Sequence, residues 1–193
     1  MKKTNNLIQD NNNAKLFEVS AWDVAKYLLS LDEERKYFSN TNLLVVDNKD
    51  NYKSNPTIGN FRLNKILQII QALYYAHCKK RLFLEEMQAY EHGGIVYLIY
   101  SNFFSLHKTI DYVPASLTEE RKEFIHKAFF YLKDNYSDRE LRELAHEDLA
   151  WRQAWKRRIQ GGTDKFIYNE EVLNYYDKLG SSMLRAMKIK VGY

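Results

Sequence analysis

FRLNKILQIIQALYYAHCKK, residues 61–80, decides the fold class. Leu63, Ile66, Leu67, Ile70, Leu73, Tyr74 and His77 recur at steps of three and four, which lines them up on one side of an α-helix. Lys65, Gln68 and Gln71 fall elsewhere on the same helix. This is the strongest helical pattern in the chain, and it reads as a central, mostly buried helix.

The totals agree with a helical protein. The chain has 193 residues, enough for one domain with a proper core. Only 7 Gly and 2 Pro interrupt it, and Leu, Ala, Glu, Lys and Arg are plentiful, so helices are favoured over a turn-rich sandwich or barrel. The expected fold is mainly α, a single compact helical domain, with short strand-like pieces near 43–46 and 82–90. Cys78 is the one cysteine, which excludes an internal disulfide and a cysteine zinc cluster together. No apolar run approaches the roughly 20 residues that span a membrane. MKKTNNLIQDNNNAK at the start has basic residues but no apolar signal core, so a cytoplasmic protein is expected. A net charge of +4 permits contact with nucleic acid without requiring it.

Outward from the central helix, residues 1–18 read as an Asn-rich flexible tail. In SAWDVAKYLLSL, Ser20 is placed to cap a helix whose apolar side carries Val24, Tyr27, Leu28 and Leu31. DNKDNYKSNPTIGN, 47–60, is a polar loop. LFLEEMQAYEHGG reads as an extended segment running into a turn at Gly93-Gly94, after which IVYLIYSNFF restarts as an apolar helix. Thr118 caps LTEERKEFIHKAFFYLKDNY, and Ser137 with Glu140 forms a capping box for the helix after it. Gly161-Gly162 ends the Trp-rich helix, and Asn169 is placed to cap the last one.

The residues that could carry chemistry do not assemble into a catalytic set. His146, Glu147 and Asp148 are consecutive on a helix and point three ways, so they do not converge on one metal ion. A structural division of labour is expected instead, with His146 ending one helix and Asp148 starting the next by accepting backbone N–H bonds. Cys78 and His77 are adjacent and diverge by about 100° on a helix, which disfavours a nucleophilic dyad. His92 precedes Gly93-Gly94, but the spacing and lysine of a phosphate-binding loop are missing. Trp151 and Trp155 share a helix face beside Arg152, Lys156, Arg157 and Arg158. They serve either as core anchors or as a stacking site for single-stranded nucleic acid. No metal or cofactor is expected, and the residues alone favour a binding protein over an enzyme.

RLNKILQIIQALYYAHCKKRLFLEEMQAYEHGGIVYLIYSNF resembles the core of the Panacea domain, the family of SocA-type, often phage-associated antitoxins. That pattern is a K-L-Q-K-L-L-Y-Y-A-Q-A-W helix, a K-P-L-F turn, an acidic segment, then A-W-x-x-G-P-V-V-P and a Tyr. Leu63, Lys65, Ile66, Leu67, Gln71 and Ala72 fall on the helix, Leu82-Phe83 on the turn and Glu85-Glu86 on the acidic segment. Ala89-Tyr90, Gly93, Ile95-Val96 and Tyr100 fall on the last piece. Ala25, Lys26 and Tyr27 match the A-K-Y of the opening helix. Leu141, Leu144, His146, Asp148 and Trp151 match the closing motif, and FIYNEEVLNYY resembles the family's polar-start final helix. The likeness spans most of 18–180, with an insertion at about 32–60, and makes 19–193 the antitoxin-like domain. Gly94, Tyr97 and Ala150 stand where the pattern has Pro, and Gln68 stands where it has an aromatic.

The resemblance implies an antitoxin that holds a cognate toxin, commonly encoded by an adjacent gene, inactive by direct protein–protein contact. At least one such protein delivers its toxin to a cellular protease. The expected partner contacts are Tyr90, His92, Gly93, Gly94 and Tyr97 on the turn, with Tyr100 and Phe104 beyond it. Lys26, Tyr27, Leu63, Lys65, Gln71, His146, Asp148 and Trp151 are expected as structural positions. Nucleic acid is the alternative partner, and no membrane is expected.

Overall fold

The computed structural model describes residues 19–42, 57–108, 114, 116–168 and 179–189. The Asn-rich tail, the strand-like piece at 43–46, most of the 47–60 loop and the Asn169 cap lie outside them. Seven helices and three short strands make up the described residues. They are α1 (Ala21–Ser30), α2 (Ile58–Cys78), β1 (Met87–Tyr90), β2 (Gly93–Ile95), α3 (Tyr97–His107), α4 (Glu119–Asn135), α5 (Asp138–Glu147), α6 (Leu149–Ile159), β3 (Phe166–Ile167) and α7 (Leu179–Ala186).

Local chemistry starts each of the capped helices where the sequence places it. Ser20 accepts the Asp23 N–H at 3.1 Å, and Thr118 accepts that of Arg121 at 3.3 Å. Ser137 and Glu140 form the complete capping box. Such caps contribute about 1 kcal/mol each by pairing N–H groups that the helix itself leaves open.

α2 is the central element and packs against α1, α3, α4, α5, α7 and β2. It begins at Ile58, inside the expected 47–60 loop, because Thr57 caps it by accepting the Asn60 N–H at 3.2 Å. Gly59 allows this early start. A Cβ there would lie 2.3 Å from the Phe38 carbonyl oxygen, closer than packed atoms approach. Leu63, Ile66, Leu67 and Ile70 are fully buried, each stabilising the fold by about 1.5–3 kcal/mol. Lys65, Gln68 and Gln71, which fall off the apolar line of the helix, are buried too. α2 is enclosed on nearly every side, so no solvent side remains for them.

Part of the expected insertion belongs to the core. Phe38 is fully buried and stacks on Phe129 of α4 at 5.4 Å. Asn42 and Thr57 pair in an antiparallel bridge, which brings the two ends of the 43–56 stretch together.

The 87–95 segment is an antiparallel hairpin, and β3 joins it on the other side of β1, giving the order β2-β1-β3. The turn is formed by Glu91 and His92, two residues before its expected place. Gly93 and Gly94 open β2, and Gly93 sits opposite Tyr90 with φ +112°. A glycine fits because an L side chain disfavours that conformation, and a Cβ would also lie 2.5 Å from the Lys65 Nζ. Phe166–Ile167, expected at the polar start of the last helix, pairs with Gln88 and Met87 instead.

Candidate functional site

α2 carries a line of amides into the interior. Asn60, Asn64, Gln68 and Gln71 follow one another at steps of four, four and three, so they share one side of the helix. Asn60 donates to the Tyr100 carbonyl at 2.9 Å, and Asn64 accepts the Val96 N–H at 3.0 Å. Gln68 accepts the Gly94 N–H at 2.7 Å while donating to Asp148 at 2.8 Å and to the Ala145 carbonyl at 3.0 Å. Gln71 accepts from Leu82 N–H at 2.8 Å and donates to the Phe83 carbonyl at 3.0 Å. These amides replace water for irregular backbone that packing has sealed off, where an unmatched group costs about 1–3 kcal/mol.

The closing motif docks onto this line. Asp148 ends α5 and caps α6, accepting the N–H groups of Ala150 at 2.8 Å and Trp151 at 3.2 Å. Trp151 is 6% exposed and its indole N–H donates to the Tyr90 carbonyl at 3.0 Å. Its ring lies parallel to His146 at 4.3 Å and to Trp155 at 6.0 Å. Arg158 reaches across to donate to the Ala89 carbonyl at 2.6 Å, with its guanidinium 4.5 Å from the Tyr90 ring.

A group of basic side chains is enclosed behind the hairpin. Lys65 is 2% exposed and donates to the Gly94 carbonyl at 3.4 Å. Burial, with Arg142 adding to it, pushes its ammonium down to about 7. His146 is pushed down to about 4, first by burial and then by Lys65, Arg142 and His92. A hydrogen bond to the Glu91 backbone opposes that shift. The Glu91 backbone and His92 thus lie close to His146, and His92 is buried. A pocket between α2, α5 and α7, lined in part by Gln68, Leu144, Asp148 and Met183, measures about 20 Å³, room for about one water molecule. Among the described residues, no three His, Cys, Asp or Glu side chains are placed to hold a metal ion. None of the described helices is long and apolar enough to cross a membrane.

The expected partner residues separate into two groups. His92, Gly93 and Gly94 are buried. Tyr90 and Tyr100 are half-buried and stacked on each other at 6.4 Å. Tyr97 is 52% exposed and Phe104 57% exposed. They lie on the outer side of α3, while Ile99, Phe103 and Leu106 face inward. No family model matches the chain, nor does any curated protein or solved structure.

The outer side of α3 continues onto its neighbours. Leu98 is as exposed as Tyr97, and Lys165 beside β3 reaches within 5.6 Å of the Tyr97 ring. Phe166 and Tyr168 are exposed next to it, and Ile159 at the end of α6 is 64% exposed. The expected structural positions lie inside or at the margin of the interior. Leu63 and Gln71 are buried, while Lys26 and Tyr27 are half-buried, with burial raising the Tyr27 hydroxyl. Sequence reasoning missed Asn60 and Asn64, although their spacing with Gln68 on an otherwise apolar helix is a readable polar line.

Proposed function

We propose that this protein is an antitoxin-like binding protein that neutralises a toxin encoded by an adjacent gene through direct contact. The observation that carries the reading is the outer side of α3, where Tyr97, Leu98 and Phe104 stand exposed and Lys165, next in sequence to the exposed Phe166, lies near the Tyr97 ring. Exposed aromatics grouped on one face are the usual anchors of a protein interface, and isolated exposed apolar residues are not. The ordered likeness of four sequence segments to the antitoxin family gives the partner its identity as a toxin.

The nucleic-acid reading draws on Trp151, Trp155 and the basic end of α6, and the geometry gives it little support. Trp151 is buried in its own stack and Arg158 is committed to Ala89 and Tyr90, so neither presents an open surface to a base. Co-expression with the adjacent gene product, followed by purification through a tag on this chain, tests the proposal. A stable complex with the wild type that is lost in a Tyr97→Ala/Leu98→Ala/Phe104→Ala variant supports it. Separate elution of two folded wild-type proteins overturns it. Activity of the pair in a reconstituted mixture without protease separates masking from delivery for degradation.

A further inference from the structure

Cations stand directly over the rings of this face. The Lys108 Nζ lies 4.0 Å from the Phe104 ring centre and that of Lys165 5.6 Å from Tyr97. Among the described residues, none gives Lys108 or Lys165 a carboxylate partner. The ion pairs of α4 and α5 show the contrast: Lys122, Lys127 and Arg139 are each matched within their own helix, by Glu119, Glu123 and Glu143. Asp164 pairs with Arg157 nearby, but among the described residues Lys108 and Lys165 are left without a carboxylate partner while the apolar side chains beside them stay exposed.

We infer that the partner presents to this face an acidic protein surface bearing apolar anchor side chains, with carboxylates meeting Lys108 and Lys165 around Tyr97, Leu98 and Phe104. The inference rests on the antitoxin reading and specifies the chemistry of the toxin. Cations poised on ring faces attract carboxylates while the rings supply buried area, the arrangement of a charged rim around an apolar centre. A polyanionic nucleic acid fits less well. Bases stack on bare ring faces, and here those faces are shared with cations, while Leu98 and Ile159 offer nothing for a base to stack on.

The test uses the full chain, the purified product of the adjacent gene and a single-stranded oligonucleotide as probes. Affinity of wild type and of Lys108→Glu/Lys165→Glu is measured at low and high salt, with thermal unfolding as a folding control. The expected result is that the double variant melts like wild type and binds the gene product at least tenfold more weakly. Wild-type association is also expected to slow as salt rises. Equal affinity in wild type and variant overturns the acidic-surface inference and leaves the antitoxin reading standing. A gene product that wild type does not bind removes the antitoxin reading and this inference with it. Binding of the oligonucleotide alone replaces both with a nucleic-acid function.

Discussion

The Gln68 amide donates to the Asp148 carboxylate at 2.8 Å, across 80 residues of sequence, while its oxygen accepts the Gly94 N–H at 2.7 Å. One side chain of the central helix therefore fixes both the hairpin and the junction between α5 and α6. Gln68→Leu keeps the bulk and removes these two bonds and the one to the Ala145 carbonyl, stranding the buried Gly94 N–H and taking one donor from the Asp148 carboxylate. The expected loss is about 2–4 kcal/mol in chemical denaturation, more than a surface amide would show. A loss under about 0.5 kcal/mol would mean that water replaces the amide.

Gly94 and Gln68 depart together from the Panacea-like pattern, which has a Pro and an aromatic there. The pairing has a physical reason. Proline has no N–H, so the Gln68 oxygen would have no donor at position 94, whereas glycine supplies one. Gly94→Pro alone is expected to cost about 2–3 kcal/mol, since it also places a Cβ 3.0 Å from Ile167. Combined with Gln68→Tyr, the total should fall short of the sum of the single losses by about 1 kcal/mol or more in a double-mutant cycle. Simple additivity would show that the two positions do not act on each other.

Lys65 makes stability depend on pH. The unfolded chain keeps this proton up to its ordinary 10.5, the folded chain only to about 7. Between those values the unfolded state binds more protons, so stability rises with pH across that window and falls as pH drops through it. Lys65→Met removes the contribution. Its advantage over wild type should grow by about 2–3 kcal/mol between pH 9.5 and 7.5. His146 acts in the same sense lower down, lowering stability as pH falls from 6.5 towards 4. A wild-type-minus-variant difference that stays flat from pH 7.5 to 9.5 would show that Lys65 stays protonated in the fold.

Trp151 and Tyr97 should separate folding from binding. Trp151→Ala empties a buried stack and removes the donor to Tyr90, at an expected cost of about 3–5 kcal/mol in unfolding experiments. Tyr97→Ala should leave unfolding within about 0.5 kcal/mol of wild type and weaken partner binding by about 1–2 kcal/mol. If Trp151→Ala impaired neutralisation at unchanged thermal stability, its structural role would be wrong.

Much of this architecture is legible in the sequence because its signals are local. Ser20, Thr118, the Ser137–Glu140 pair and Asp148 mark helix starts through bonds to backbone within a few residues. The hairpin is legible as an extended segment, but its turn is not, because Gly93 is required by the nearness of Lys65 as well as by its own φ. The burial of Lys65, Gln68 and Gln71 depends on backbone groups between 11 and 77 residues away, which periodicity does not detect. Tyr97 and Phe104 stand out by residue type, whereas the exposure of Leu98, Ile159 and Phe166 depends on which sides of α3, α6 and β3 the core takes up.

The central claim is tested most directly by growth of cells expressing the adjacent gene alone, with this protein, or with its Tyr97→Ala/Leu98→Ala/Phe104→Ala variant. The account predicts arrest by the adjacent gene alone, rescue by the wild type and renewed arrest with an equally abundant, folded variant. A harmless neighbour, or rescue that the variant supports as well as the wild type does, would contradict it.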